Sequence, residues 1–136
     1  MISIEQPDDL MSISLYRVLS YRQDKEFYQL VKNWNKRIVI HIKPFYPVTV
    51  IFEGENIKFE RGDSKKANLK VIMELDAMLD LAYGRKGLIS VFLRGKMKIK
   101  GLYKLGTVLR FKKIFMTSMK LIASDPNLHY YEKRTK

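Results

Sequence analysis

A chain of 136 residues without a cysteine is the size of one domain, large enough to bury a core unaided, and offers no thiol for a disulfide, a thiolate zinc site or a nucleophile. Its formal charge is +12 at pH 7, all of it in the second part: residues 1–84 hold 12 Lys+Arg against 12 Asp+Glu, and residues 85–136 hold 14 basic residues against Asp125 and Glu132. No run approaches the ~18 apolar residues of a spanning helix, and Glu5, Asp8 and Asp9 stand where a signal peptide is basic. The terminal Arg134-Thr135-Lys136 is not a peroxisomal signal, so a cytoplasmic protein is expected.

Residues 1–6 read as loose. Pro7-Asp8-Asp9 suits a helix start, with proline in the first turn and carboxylates at the positive end of the dipole. The helix that follows carries Leu10, Met11, Ile13, Leu15, Tyr16, Val18 and Leu19. That is too apolar for a free tail, so it is expected to pack on the domain or on a second copy of the chain. Its acidic flanks argue against a helix lying on a bilayer. After a break at residues 20–23, Asp24 is a fair N-cap for a second helix reaching Trp34. There Phe27, Leu30, Val31 and Trp34 follow the i, i+3, i+4, i+7 spacing of a core-facing stripe.

Arg37–Lys43 is a β-branched run and the first strand. Pro44 and Pro47 bracket the connection to a second strand over 47–53, where Val48, Val50 and Phe52 share one face and Thr49 and Ile51 the other. Gly54-Glu55-Asn56 turns the chain into a third strand, Ile57–Arg61, and Gly62-Asp63-Ser64 turns it again ahead of a fourth, Leu69–Met73. A helix over Leu75–Tyr83, a break at Gly84 and a short helix over Gly87–Arg94 lead to a fifth strand, Lys96–Lys100. The pattern predicts an α+β fold: a five-stranded, mostly antiparallel sheet covered on one face by helices, with an extra N-terminal helix.

The last long stretch, Leu102 to about Ile122, reads as one helix. Gly106, Arg110, Lys113, Thr117 and Lys120 follow a 4, 3, 4, 3 spacing that collapses them into one polar line. Most of the remaining circumference is apolar, more than one ordinary core contact needs. Pro126-Asn127 ends this helix, and residues from His129 onward form a tail.

Motifs for catalysis are missing: no G-x-S-x-G elbow, no glycine-rich phosphate loop and no H-E-x-x-H. His41 sits mid-strand, far in sequence from His129, and reads as a hydrogen-bonded structural histidine, because a general base needs a partner. Asp76 and Asp80, at i and i+4 with Glu74 at the helix start, read as the solvated face opposite Leu75, Met78, Leu79 and Ala82. No metal or cofactor is expected.

Asp63-Ser-Lys-Lys-Ala-Asn-Leu-Lys-Val-Ile-Met73, the paired helices after it, Gly95-Lys96-Met97-Lys98-Ile99-Lys100-Gly101 and the opening Leu102-Tyr-Lys-Leu-Gly-Thr-Val-Leu109 together resemble the sterol carrier protein type-2 family. The resemblance covers residues 63–110, extends back to about Lys36, and omits residues 1–35 and the tail. It implies a small α+β domain with an apolar tunnel for a lipid, fatty acyl chain or sterol, and no catalytic residues. On that basis residues 1–136 are expected to form one lipid-binding domain: a helical extension (1–35), a sterol-carrier-like core (36–122) and a basic tail (123–136). The function expected is binding and transfer of a fatty acid, fatty acyl-CoA, phospholipid or sterol-like ligand.

Leu75, Met78, Leu79 and Ala82 are the candidates for one wall, and Ile89, Phe92 and Leu93 for a second. Met97 and Ile99 are the expected floor, and Leu105, Leu109, Phe115, Met116 and Met119 a third wall. Methionines suit a pocket that accepts more than one shape; the same residues can instead pack on one another as a closed core. Arg94, Lys96, Lys98, Lys112 and Lys113 are the candidates for holding an anionic head group or meeting an anionic membrane. The basic half also suits nucleic acid, but it carries no stacking aromatic pair on the lysine-rich strand. Lysines on an exposed strand face serve solubility as well. The apolar extension and the long final helix depart from the family pattern; they can cover the tunnel or build a homodimer.

Overall fold

The computed structural model describes residues 2–22, 24–101 and 105–124, with the backbone alone for Leu88, Ile89 and Ser124. The expected helix start at 102–104, the break at Pro126 and the tail lie outside the described residues. The elements are β1 (Ser3–Ile4), α1 (Leu10–Ser20), α2 (Lys25–Val31), β2 (Asn35–Lys43), β3 (Val48–Glu53), β4 (Asn56–Arg61) and β5 (Leu69–Glu74), followed by α3 (Leu75–Ala82), α4 (Leu88–Leu93) and β6 (Met97–Lys100). The final helix runs as α5 (Leu105–Phe111), a π-helical turn (Lys112–Met116) and α6 (Thr117–Ser124).

The fold is α+β, and its sheet has six strands rather than five, in the order β1-β4-β3-β2-β5-β6. The sixth comes from residues expected to be loose. The Ser3 N–H donates to the Glu55 carbonyl at 2.7 Å and the Glu5 N–H to the Ile57 carbonyl at 2.8 Å, so β1 pairs in parallel with β4. Two residues are too few to show a strand period, yet they occupy the open edge of β4.

β2, β3 and β4 form an antiparallel meander, β5 lies parallel to β2, and β6 is antiparallel to β5. A crossover between parallel strands ordinarily takes a dozen or more residues and a helix; here residues 62–68 suffice. β4 ends at Arg61, level with Val48 and Ile40, and β5 begins at Leu69, level with Ile38. The chain therefore crosses three strand spacings, about 14 Å, and moves little along them, a distance an extended heptapeptide covers. Asn68 joins this crossover to β2 through two bonds: its N–H donates to the Arg37 carbonyl, and its side-chain oxygen accepts from the Arg37 N–H. Thr49 donates to the Gly62 carbonyl and accepts from the Ser64 N–H. The crossover thus lies over the back of the sheet, where Val39, Thr49 and Ile51 are buried.

The register places Ile38, Ile40, Ile42, Val50, Phe52, Ile57, Val71, Met73 and Met97 together on the front face, all of them buried. α1 packs over β4, α3 over β2 and β5, and both meet the final helix. Asp9 caps α1 by accepting from the Ser12 N–H, and Asp24 caps α2 by accepting from the Phe27 N–H. A chain of rings joins sheet to helix: Trp34 lies 4.8 Å from Phe52, Phe52 meets Phe115 edge-on at 6.2 Å, and Phe115 lies 4.9 Å from Phe111.

Gly101 closes β6 at φ +94, where an added Cβ would stand 2.8 Å from the Asn68 carbonyl oxygen. Gly106, inside α5, has open space around it. Urea unfolding should therefore show Gly101→Ala destabilised by about 1–3 kcal/mol and Gly106→Ala unchanged or stabilised by up to ~1 kcal/mol.

Candidate functional site

A cavity of about 250 Å³ lies between the front face of the sheet and its helices. β2 and β5 floor it with Ile40, Ile42 and Met73, and Phe45 closes the end of β2. α3 contributes Leu75 and Met78; α1 contributes Leu10, Met11, Ser14, Leu15 and Val18. The final helix supplies Phe111, Phe115, Met116 and Met119. Ser14 carries the sole polar side chain among these lining residues, and its hydroxyl is already engaged with the Leu10 carbonyl at 3.0 Å. Among the described residues no charged side chain lines the space.

Of the residues proposed from sequence, Leu75, Met78, Phe115, Met116 and Met119 come together in this lining. The others stand elsewhere. Leu79 and Ala82 belong to the core but not to the lining, since α3 presents only its first turns to the cavity. The expected α4 wall is not part of the described lining: α4 packs on α3 and β6, Phe92 is half-buried outside the lining, and Leu93 is 77 % exposed. The Ile89 side chain lies outside the description. Met97 and Ile99 face the front but sit on edge strand β6, so the floor belongs to the central strands β2 and β5. Leu105 and Leu109 are 64 % and 57 % exposed, because α5 turns Thr107 and Phe111 inward instead. The polar line read along the final helix is exposed at Gly106, Lys113 and Lys120 but not along its whole length. Arg110 folds in, donating to the Leu30 carbonyl at 3.0 Å with its guanidinium 5.7 Å from the Trp34 ring.

The cations also divide. Lys98 pairs in register with Ile72 and therefore points to the back of the sheet, away from the cavity. Arg94 and Lys96 are exposed beyond α4, and Lys112 and Lys113 are exposed on the final helix. None of the five lines the cavity.

The α1 wall, Phe45, Phe111 and the sheet floor were not singled out from sequence. The dense apolar run of α1 was the available signal. Two hydrogen-bond groups hold these parts in place. His41 Nε2 lies 2.8 Å from the Phe45 carbonyl, fixing the bend that sends Phe45 inward. At the head of α1, the Tyr46 hydroxyl donates to the Asp9 carboxylate and accepts from the Met11 N–H at 3.0 Å, while the Arg61 guanidinium stands 4.1 Å from the Tyr46 ring. Burial raises the Asp9 carboxyl, but the bonds from Tyr46 and Ser12 and the charge of Arg61 bring it below its ordinary value.

At the other end of α1, Arg22 is the buried charged residue among the described residues. Its Nε and Nη2 donate to the two Asp24 oxygens at 2.9 and 2.8 Å, Nη2 donates also to Glu26 at 2.8 Å, and Nη1 donates to the Lys113 carbonyl at 3.0 Å. The Arg22 guanidinium holds the Asp24 carboxyl down at about 2.

Among the described residues no group of three or more His, Asp or Glu side chains is arranged to hold a metal ion, and no helix is long and apolar enough to cross a membrane.

The sequence profile of the SCP-2 sterol transfer family matches residues 17–116. Among solved structures, the chain is similar to a UbiJ-SCP2 ubiquinone synthesis protein, at 18 % identity and a TM-score of 0.57, over 83 % of this chain and 88 % of that one. It is similar to a Thermus thermophilus protein described as possibly a sterol carrier protein, at 14 % and 0.57, over 93 % and 98 %. The apo form of sterol carrier protein 2 from Yarrowia lipolytica matches at 20 % and 0.55, over 76 % and 91 %. At these identities the likeness establishes the fold. No curated protein matches the chain in sequence.

A carboxylate held low stabilises the fold above its ordinary value and loses that contribution as pH falls through the lowered one. Thermal midpoints of the wild type should therefore drop between about pH 4 and pH 2 in part through Asp24. Asp24→Asn should start lower at neutral pH and fall less steeply across that window; parallel curves would assign the loss to other groups.

Proposed function

From the premise that the chain belongs to the SCP-2 sterol transfer family, we propose that its cavity takes up the hydrocarbon part of a lipid and carries it without covalent chemistry. The observation that supports this most is the lining: its fifteen described residues carry no charge and a single, internally bonded hydroxyl. Such a surface has nothing to offer a polar substrate and gains about 0.8 kcal/mol for each methylene withdrawn from water, less the cost of ordering the chain. Met11, Met73, Met78, Met116 and Met119 allow it to accept differing shapes. Fatty acid, fatty acyl-CoA, phospholipid and sterol-like cargo all fit this chemistry.

With no cation among the described lining residues, an anionic head group stays outside, where Lys112 and Lys113 follow the pocket residue Phe111 along the chain. The same helix carries the exposed Leu105 and Leu109. Two leucines beside two lysines, on a helix whose described residues include no carboxylate, match an anionic leaflet in both hydrophobicity and charge. In this reading the final helix meets the membrane with one face and walls the cargo with the other.

A fluorescent fatty acid and vesicles rich in phosphatidylglycerol test the two parts separately. Met116→Glu and Met78→Glu, if folded by circular dichroism, should weaken fatty acid uptake at least about tenfold, since each buries a carboxylate in an apolar wall. The double variant Leu105→Ser, Leu109→Ser should keep uptake and lose most vesicle co-sedimentation. Normal uptake by folded Met116→Glu would refute the pocket, and binding of RNA rather than vesicles would transfer the basic face to nucleic acid.

A further inference from the structure

We propose that Arg22 is a positioning residue for cargo selection: it grips the Lys113 carbonyl and so holds the π-helical turn that sets Phe115 and Met116 in the pocket wall. This rests on the reading of the cavity as a lipid site.

Three observations carry it. Arg22 is 3 % exposed, a costly place for a charge unless it is fully engaged. Two carboxylates fix its orientation, bidentate from Asp24 and single from Glu26, and Phe27 lies against it at 5.7 Å. The one nitrogen left over, Nη1, donates to a backbone carbonyl 91 residues away, inside the one π-helical turn of the described chain. Wide turns of this kind disrupt the regular ladder of helical bonds and occur at functional sites. Here a fixed guanidinium supplies the turn with an outside donor, and its planar fork makes that donor hard to replace by lysine.

The turn decides what faces the cavity. At ~100° per residue, a regular α-helix would set Met116 about 140° round from Phe111, too far for both to line one narrow space. A π-helical turn advances each residue by less, and Phe111, Phe115, Met116 and Met119 all reach the lining. Relaxing residues 112–116 to α would swing Met116 and Met119 away from Phe111 and change the length and breadth of the space. Arg22 lines no part of the cavity; it acts on cargo only through this turn.

The test uses the full chain, a fluorescent fatty acid, and saturated fatty acids of twelve and sixteen carbons as competitors. Each methylene is worth about fourfold in affinity, so a cavity shortened or lengthened by two shifts the ratio of the competitors by about tenfold or more. Folded Arg22→Met should show that shift, and Arg22→Lys a smaller one. Glu26→Gln removes one tether at an exposed carboxylate and keeps the fold safe; amide hydrogen exchange at 113–119 should quicken in it, with α3 and the sheet unchanged. An unchanged competitor ratio in folded Arg22 variants overturns the proposal, as does unchanged exchange at 113–119 in Glu26→Gln. A wild type that binds neither probe nor competitor overturns the lipid reading and the selection role with it, and is told apart because the exchange difference then persists without binding.

Discussion

The edge-on contact of Phe115 with Phe52 sets how close the final helix comes to the sheet, and the remaining architecture follows from that spacing. The front face of the sheet is apolar across five strands and must be covered. A helix laid flat on it would close a solid core. Instead the helix is propped at one end on the ring chain of Trp34, Phe52, Phe115 and Phe111, and α1 and α3 complete the cover from either side. Among the described residues, the space left between them is lined by apolar side chains and the Ser14 hydroxyl.

Charge is arranged around this space with one exception kept inside. Among the described residues of the second half, Lys112, Lys113 and Lys120 are exposed on the final helix, Lys96 is exposed beyond α4, and Lys98 and Lys100 lie on the back of β6. Arg22 alone among described charged residues is buried, and its partners are two carboxylates and a backbone carbonyl rather than the cavity. Hydrocarbon and charge are thus sorted into separate compartments, an arrangement suited to a carrier that takes in an acyl chain and leaves the head group in water.

Much of the fold was legible because local signals agreed with it. The β-branched run gave β2, period-two alternation gave β3 to β5, the stripe of Phe27, Leu30, Val31 and Trp34 gave α2, and the alternation of Met97 and Ile99 with lysines gave β6. β1 was hidden by its length. A third of the described cavity lining was legible. Leu75, Met78, Phe115, Met116 and Met119 were found because they belong to apolar helix faces that meet the cavity. Leu105 and Leu109 lie on an equally apolar face but look outward, and one-dimensional periodicity cannot tell an inward apolar face from an outward one. The π-helical turn was invisible because every pattern applied to it assumed the α period. The floor was placed on β6 rather than on β2 and β5 because strand order is a property of the tertiary fold.

On the reading proposed here, the cavity carries a lipid. Native mass spectrometry of the full chain, purified without detergent and followed by organic extraction, tests it most directly. A lipid carrier should show a non-covalent adduct near one lipid per chain, lost in Met116→Glu. A wild-type protein that is bare, and stays bare after incubation with fatty acids and phospholipid vesicles, would contradict the claim.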